Sequence, residues 1–412
     1  MKPAAMKPAM AMALCAAVMG SSPAASREAQ TASSFCAGLN KAVTPLIGGA
    51  DTVFIRSYEP GMDEASLPAG IATTAFVYDN ALAVIALIAC GNVSEARAIG
   101  NALSRAARDD RSFKDGRIRN AYRAGTVGEG APNLPGWWDE RAKIWAEDAA
   151  QDGTSTGNVA WAALALLTLH QATQDAQYLA DARRLIDWII AATACGDGFC
   201  GGFHGYDPQQ VKLTWMSTEH NVDVHAAARW LFSLTAEPKY AGAARQARGL
   251  LDRTFRGDHF LLGTKPDGRL ADEGVLALDV QLWPWMALPE APAAWRSALR
   301  FAQVHLAVDG GFDFNGDRDG VWVEGTAQAA LAYRISGDTT RSDRLLAGLK
   351  TDQTRSGLLN ASRTARLTTG LSIDPTGTVP DFFYYRRPHL GATAWAVLAE
   401  TGWNPFTGER IR

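Results

Sequence analysis

Residues 219–223 of this sequence read Glu-His-Asn-Val-Asp and place two carboxyl groups four positions apart. Ser217 or Thr218 can act as an N-cap, so the segment predicts the start of a helix with Glu219 and Asp223 on one face. An apolar stripe continues that face, which predicts that it points inward. Two neighbouring carboxyl groups raise each other's pKa, and one can then act as a general acid near neutral pH. The alternative is that these acids only suit the positive end of a helix.

Three further acids stand at the starts of predicted apolar helices, namely Asp79, Asp279 and Glu324. An acid that faces the inside of a helix array is unfavourable unless it is paired or faces a wet cavity, so Asp79 is either a cleft residue or a cap. Glu324 is the better candidate for a second catalytic carboxylate, because glycosidic hydrolysis requires two carboxyl groups that flank the bond. The predicted catalytic residues are Glu219, Glu324, Asp79 and Asp223.

Aromatic and amide side chains stand close to these acids in the sequence. Asp279 and Gln281 precede two tryptophans, which combines hydrogen-bonding groups with aromatic faces suited to a sugar ring. The alternative here is a capping aspartate beside core tryptophans. Other aromatic residues fall in predicted loops, where core packing explains them less well. The predicted substrate-binding residues are Asp279, Gln281, His220, Asn221, Trp137, Trp138, Trp283, Trp322, Tyr384 and Tyr385.

Acidic residues alternate between Asp313 and Gly320, in the order Asp-Phe-Asn-Gly-Asp-Arg-Asp-Gly. This resembles a calcium loop, but Arg318 stands where a loop that starts at Asp313 requires glycine. An Asp/Gly turn is the alternative. No Cys/His spacing suggests zinc, and no phosphate-binding loop or Gly-x-Ser-x-Gly motif is present. We therefore predict no cofactor and no metal, with calcium the one ion that the sequence admits.

The first 24 residues resemble a secretory signal peptide. Lys2 and Lys7 form a positive start, Met10–Met19 is an apolar run, and small residues follow up to Ala25. We expect cleavage near Ala24 and a periplasmic or secreted product, because the run is too short to span a bilayer. The formal net charge of −3 argues against a nucleic-acid partner and an anionic membrane surface. We expect a monomer without a stable membrane anchor.

Four cysteines remain after the predicted cleavage site, and in an exported protein they permit two disulfides. Cys195 and Cys200 bracket a short glycine-rich loop that can close easily. Cys36 with Cys90 would then tie the N-terminal segment to the first long helix. Four buried, reduced thiols are the alternative.

The elements that position these residues are predicted to be helical hairpins. Alanine-rich apolar stripes with helical spacing recur along the chain, and glycine-rich loops separate them. Further repeat units begin near Ala75, Asp279, Gly325 and Gly391. A ring of hairpins buries every inner helix, whereas an open solenoid needs capping repeats that we do not find. The sequence therefore predicts an all-α (α/α)6 barrel over residues 30–412, with an open helical-repeat binding protein as the alternative.

The chain resembles the six-hairpin glycosidase-like superfamily, whose toroids occur in many glycoside hydrolases and some polysaccharide lyases. The resemblance lies in residues 74–80, 218–223, 278–283 and 321–328. The resemblance is architectural and favours a glycoside hydrolase that acts on a polysaccharide or oligosaccharide, whereas the expectation of general acid/base catalysis comes from the carboxyl groups described above. It also permits two alternatives. One is a polysaccharide lyase that uses His220, Tyr384 and Arg386, and the other is a non-catalytic glycan-binding protein.

Overall fold

Thirteen α-helices carry most of the regular structure of residues 34–60 and 67–411, which are the residues that this computed structural model describes. The predicted signal peptide, residues 1–24, lies outside them, and the predicted domain limits stay a prediction. No helix in the described residues is both long and apolar enough to cross a bilayer. In chain order the helices are α1 (Ser34–Ile47), α2 (Val77–Cys90), α3 (Val93–Arg108), α4 (Ala149–Asp152), α5 (Thr156–Thr173), α6 (Ala176–Ala192), α7 (Thr218–Thr235), α8 (Pro238–Thr254), α9 (Leu278–Ala287), α10 (Ser297–His305), α11 (Val323–Ile335), α12 (Thr339–Leu349) and α13 (Leu390–Thr401).

Six of these helices form an inner ring. Helices α2, α5, α7, α9, α11 and α13 each pack against the next in this order, and α13 packs against α2. The inner helices are buried on nearly all sides, as α5 shows, whereas the outer helices bury only one stripe, as α3 shows. An apolar surface all round a helix requires neighbours all round it, which a closed double layer supplies. The predicted all-α hairpin barrel is confirmed.

Short antiparallel strands connect the helices and form small sheets of two or three strands. Both predicted disulfides are present, Cys36–Cys90 between α1 and α2 and Cys195–Cys200 in the turn after α6. The strands are β1 (Val53–Phe54), β2 (Thr74–Phe76), β3 (Ala121–Arg123), β4 (Gly125–Thr126), β5 (Trp137–Asp139), β6 (Ile144–Ala146), β7 (Thr154–Ser155), β8 (Ala194–Cys195), β9 (Gly198–Phe199), β10 (Gly202–His204), β11 (Val211–Leu213), β12 (Ala307–Val308), β13 (Gly311–Phe312), β14 (Leu359–Asn360), β15 (Arg366–Thr368), β16 (Phe383–Tyr385), β17 (Pro388–His389), β18 (Trp403–Asn404) and β19 (Glu409–Arg410).

An aromatic floor closes the centre of the ring. Trp161, Trp283 and Trp395 come from α5, α9 and α13, which are alternate helices of the ring, and their ring centroids lie 5.4–5.8 Å apart. Phe406 packs against all three indoles. Side chains of alternate helices can meet only at the axis. Because each tryptophan is the sixth residue of its helix, these helices must begin at the same end of the ring.

The fourth residue of several inner helices clamps the loop in front of the ring. Asn221 accepts a hydrogen bond from the Phe199 amide at 2.8 Å and donates to the Phe199 carbonyl at 3.0 Å. Gln281 makes the same pair of bonds to Phe260, at 2.9 Å each. The prediction that Asn221 and Gln281 bind substrate is therefore wrong, because both amides are buried and satisfied by backbone. Asn80 on α2 repeats the clamp with Ile55.

Replacing Asn221 with alanine should lower the free energy of unfolding by about 1–3 kcal/mol, since two buried backbone groups of Phe199 lose their partners. Thermal or urea unfolding would measure this. Asn40→Ala is the matched control, because Asn40 is half-buried on the outer helix α1 and donates only to Asn92. Equal effects of the two substitutions would contradict the clamp.

Candidate active site

The second residues of the inner helices lie one turn above the aromatic floor, at the end of the ring where these helices begin, which we call the mouth. Three consecutive helices, α7, α9 and α11, each place an acid there, and α5 and α13 each place a glycine there. The acids belong to one electrostatic cluster, since the charges of two of them raise the pKa of the third. In chain order these six residues are Tyr78, Gly157, Glu219, Asp279, Glu324 and Gly391.

Glu219 is the half-buried acid of this cluster and is the most open to the mouth. Ser217 caps α7 by accepting a hydrogen bond from the His220 amide, so the predicted helix start is confirmed. Burial raises the pKa of Glu219 well above its ordinary value, and the charges of Asp279 and Glu324 raise it further. Such a group stays protonated near neutral pH, as a general acid must.

Asp223 lies one turn below Glu219, at the level of the floor. It is fully buried, and neither carboxylate oxygen has a hydrogen-bond partner. Burial raises its pKa well above the usual range, and the charges of Glu219 and Asp279 add to the rise. A group at this depth lies beneath the level of Glu219, Asp279 and Glu324. The predicted pairing of the two acids on one inward face agrees with this position.

Glu324 is held on both sides by polar groups from distant parts of the chain. The Tyr78 hydroxyl donates to its Oε1 at 2.7 Å, and the Trp395 indole in turn donates to the Tyr78 hydroxyl at 2.8 Å. Its Oε2 accepts no hydrogen bond and lies 3.7 Å from His389 Nδ1. Burial raises the pKa of Glu324 to about 7, while the charge of His389 and the Tyr78 hydrogen bond hold it down.

His389 connects Glu324 to Asp79. Its Nε2 lies 3.3 Å from Asp79 Oδ2, and its Nδ1 accepts a hydrogen bond from the Ala392 amide at 3.2 Å. Burial opposes a charge on His389, but Asp79 and then Glu324 raise its pKa above the ordinary value. Asp79 is thus a partner of His389 and not a helix cap.

These three side chains could also be taken for a metal site, because their ligand atoms lie within 4.8 Å of one another. The geometry does not fit a single ion. Asp79 faces one ring nitrogen of His389 and Glu324 faces the other, which is already bonded to Ala392. A His ligand offers a metal one nitrogen at a time, so the arrangement suits a hydrogen-bonded network centred on His389 instead.

Gly391 provides the space for this network. A methyl group at this position would lie 2.4 Å from Asp79 Oδ1 and 3.0 Å from Glu324 Oε2. Gly157 on α5 makes room for His220 in the same way, because a methyl group there would lie 2.5 Å from a carbon of the His220 ring. Burial lowers the pKa of His220 to about 4, so its half-buried ring is neutral.

Asp279 and Tyr384 complete the mouth. Burial raises the pKa of Asp279 to about 7, and its Oδ1 accepts a hydrogen bond from the Val280 amide at 2.7 Å. Tyr384 is half-buried on β16 and packs on Trp322 at 5.2 Å. Burial and the charge of Glu324 raise its pKa well above the ordinary value, which places its ring near the acids. Tyr384 is therefore the predicted stacking residue that the structure best supports.

The tryptophans predicted to stack on sugar are differently placed. Trp283 and Trp322 are each 1% exposed, so neither indole has a free face, and the prediction that they stack on a sugar is wrong. Trp137 and Trp138 lie on the β5–β6 hairpin, where Trp138 is exposed and Trp137 packs near Gly70. Neither contacts the acids in the described part of the chain.

Tyr385 meets the edge of the Tyr58 ring at 6.2 Å, and Tyr58 in turn packs against His389. Helix α9 begins at Leu278, close to the predicted start. Pro284 was expected in the first turn of α9 but lies in the second turn. Because proline has no backbone N–H, this short helix lacks one internal hydrogen bond there.

Four aromatic residues of the site and the floor, Tyr58, Tyr78, Trp161 and Trp395, were not predicted from the sequence. The Tyr58 ring lies 4.4 Å from that of His389, so it shields the network from one side. Tyr78 directly precedes Asp79, yet its partner Glu324 is 246 residues away. One sequence signal could have revealed the tryptophans: each of them is the sixth residue of an inner helix.

Replacing Tyr78 with phenylalanine should shift the acidic limb of the pH–activity profile upward by roughly one pH unit. The hydroxyl favours ionised Glu324, so its loss raises the pKa of that carboxyl and lowers activity below neutral pH. Tyr178→Phe is the matched control, because its hydroxyl donates to Asn101 far from the mouth. An unchanged profile in the Tyr78 variant would contradict this arrangement.

The fold is shared with solved carbohydrate-active enzymes, although no family model and no curated protein matches the sequence. A wild-type glycosidase is 13% identical, with a TM-score of 0.60 over 90% of this chain and 97% of its own. The GH76 α-mannanase of Bacteroides thetaiotaomicron is 12% identical, with a TM-score of 0.55 over 89% and 95%. A sugar epimerase from a ruminal bacterium is 14% identical, with a TM-score of 0.60 over 89% and 97%. The chain therefore adopts the six-hairpin glycosidase-like fold.

Proposed function

We propose that this protein is a glycoside hydrolase that cleaves a polysaccharide or oligosaccharide by carboxylate general acid/base catalysis. The observation that carries the proposal is the row of acids on α7, α9 and α11, set above an aromatic floor at the mouth of the ring. Acids with raised pKa values in one cleft suit protonation of a leaving group and activation of water. The glycosidases that share the fold lend support.

We assign Glu219 as the general acid. It is the most open of the three, and burial with two neighbouring charges keeps its proton at neutral pH. A carboxyl group in that state can donate its proton to the glycosidic oxygen as the bond breaks, and so neutralises the developing alkoxide of the leaving group.

We assign Glu324 as the base or nucleophile. Tyr78 fixes its Oε1, whereas its buried Oε2 has no hydrogen-bond partner and is the oxygen that we assign to accept a proton or attack the sugar. The charge of His389 favours the ionised form. Asp79 is a positioning residue in this scheme, because it acts through His389. Asp279 and Tyr384 would bind hydroxyl groups and the sugar ring.

The substrate screen uses the chain without residues 1–24, incubated with a panel of neutral and acidic polysaccharides. Reducing ends and ultraviolet absorbance are followed together. New reducing ends without absorbance support hydrolysis. Retained binding without any product would instead support the glycan-binding alternative and would overturn the hydrolase. Action outside the cytoplasm, in the periplasm or after secretion, agrees with the two disulfides.

A polysaccharide lyase is the second candidate, and His220 favours it. The neutral ring of His220 stands next to Glu219 in the mouth, where it could remove a proton from a sugar carbon. Arg386, expected to bind an acidic sugar, is exposed on the rim. An unsaturated product that absorbs ultraviolet light, and that is lost in His220→Gln but kept in Glu219→Gln, would select this function over hydrolysis.

A further inference from the structure

The loop before α11 concentrates three carboxylates. Asp313, Asp317 and Asp319 present oxygen atoms that all lie within 4.8 Å of one another. Asp313 is fully buried, whereas Asp317 and Asp319 are exposed. The cluster therefore has a buried end and an end open to solvent. It lies outside the mouth residues described above.

The buried end has an unsatisfied acceptor. Asp313 Oδ1 accepts a hydrogen bond from the Phe314 amide at 2.7 Å, but its Oδ2 has no partner. A buried carboxylate oxygen without a partner is strongly unfavourable unless a ligand satisfies it. Burial raises the pKa of Asp313 to about 7, and the charges of Asp319 and Asp317 also raise it.

The described residues supply no counter-charge to the three aspartates. Arg318 lies between two of the acids in sequence, yet its Nε donates to the His305 carbonyl at 3.0 Å and its Nη2 to the Val304 carbonyl at 2.5 Å. The guanidinium thus satisfies the end of α10 and turns away from the cluster. Within residues 34–60 and 67–411, no ion pair includes any of the three aspartates.

We propose that Asp313, Asp317 and Asp319 bind one calcium ion. Oxygen ligands on an irregular loop suit Ca²⁺, which accepts irregular geometry, better than Mg²⁺, which demands a near-ideal octahedron. Nitrogen and sulfur ligands, which zinc prefers, are absent from the three. An ion can enter between the two exposed carboxylates and reach Asp313 Oδ2. Arg318 stands where calcium loops usually have glycine. Its backbone adopts the positive φ, 58°, that glycine would provide, and its side chain bonds to the end of α10 and not to the three aspartates.

The site would also connect to the mouth of the ring. Asp319 Oδ2 accepts from the Thr368 amide at 3.0 Å, and Asn315 Nδ2 donates to the Thr368 carbonyl at 3.3 Å. Thr368 is the last residue of β15. This strand pairs with β16, which contains Tyr384. Calcium would therefore hold the hairpin that places Tyr384 over the acids. This consequence alone rests on the proposed function.

The test compares the wild type with Asp317→Asn and Asp267→Asn after treatment with a chelator. Asp267 is the matched control, because its carboxylate accepts from the amide two residues on, as that of Asp317 does. Calcium chloride or magnesium chloride is then added. Titration calorimetry reports the stoichiometry and thermal unfolding reports the Tm. Neither measurement requires an identified substrate.

We expect the wild type and Asp267→Asn to bind one Ca²⁺ and to gain about 2 °C or more in Tm. Asp317→Asn should melt higher than the wild type in chelator, because it removes a like charge, and should lose the calcium response. Asp319→Asn should lose the response too. The absence of a calcium response in the wild type, an equal response to magnesium, or an undiminished response in Asp317→Asn would each overturn the site.

Discussion

Glu219→Gln should reduce kcat/KM on a natural glycan about 10²–10⁴-fold and leave the Tm unchanged. The fold tolerates the change because burial already favours the neutral carboxyl group, which glutamine imitates in shape and charge. Only the proton that the leaving group needs is lost. Initial rates on a polysaccharide identified by the screen, together with thermal unfolding, would measure both effects.

The dependence on the leaving group separates acid catalysis from binding at Glu219. An aryl glycoside with a nitrophenolate leaving group needs little protonation, so the variant should lose far less activity on it. Glu273→Gln is the matched control, because Glu273 is exposed and pairs only with Arg256 at 3.5 Å. Equal losses on both substrates, or substantial activity on the glycan, would remove Glu219 from the role of acid.

Helix starts were the part of the site that sequence analysis could predict. Asp79, Glu219, Asp279 and Glu324 all fall in the first turn of inner helices, as expected. The prediction succeeds because capping and helical periodicity are local. The closed ring then brings these starts together, since the inner helices begin at one end.

Depth within the ring was harder to predict, because periodicity identifies a face and not a level. Glu219 and Asp223 share a face, yet one turn of about 5.4 Å separates a residue of the mouth from one of the floor. Trp283 has the depth of Asp223 and is therefore a floor residue. To predict depth, one must know which residues of neighbouring inner helices lie at the same height, and local sequence patterns do not provide this.

Long-range partners account for the remaining errors. Asn221 has a polar side chain between two acids, which favours a role in binding, but its partner Phe199 lies 22 residues upstream. Tyr78 looks like an ordinary aromatic residue until the ring places its hydroxyl on Glu324. Neither contact has a local signal, because the chain must close before the partners meet.

Glu324→Gln should reduce kcat about 10²-fold or more on glycans and aryl glycosides alike, since a base or nucleophile is needed whatever group leaves. In the wild type, Glu324 must be ionised to act. Burial raises its pKa to about 7, so activity should rise as the pH increases through about 7. The variant should lack this acidic limb. Rates measured between pH 5 and 9 would show it.

Asp279→Asn is the control that makes the assignment of Glu324 testable, because burial raises the pKa of Asp279 to about 7 as well. The two acids occupy the same position on adjacent helices and differ in their partners. Tyr78 orients Glu324, whereas Asp279 accepts from its own helix. If Glu324 is the base, Asp279→Asn should weaken substrate binding but keep the acidic limb. Loss of that limb in Asp279→Asn, with the limb retained in Glu324→Gln, would transfer the role to Asp279.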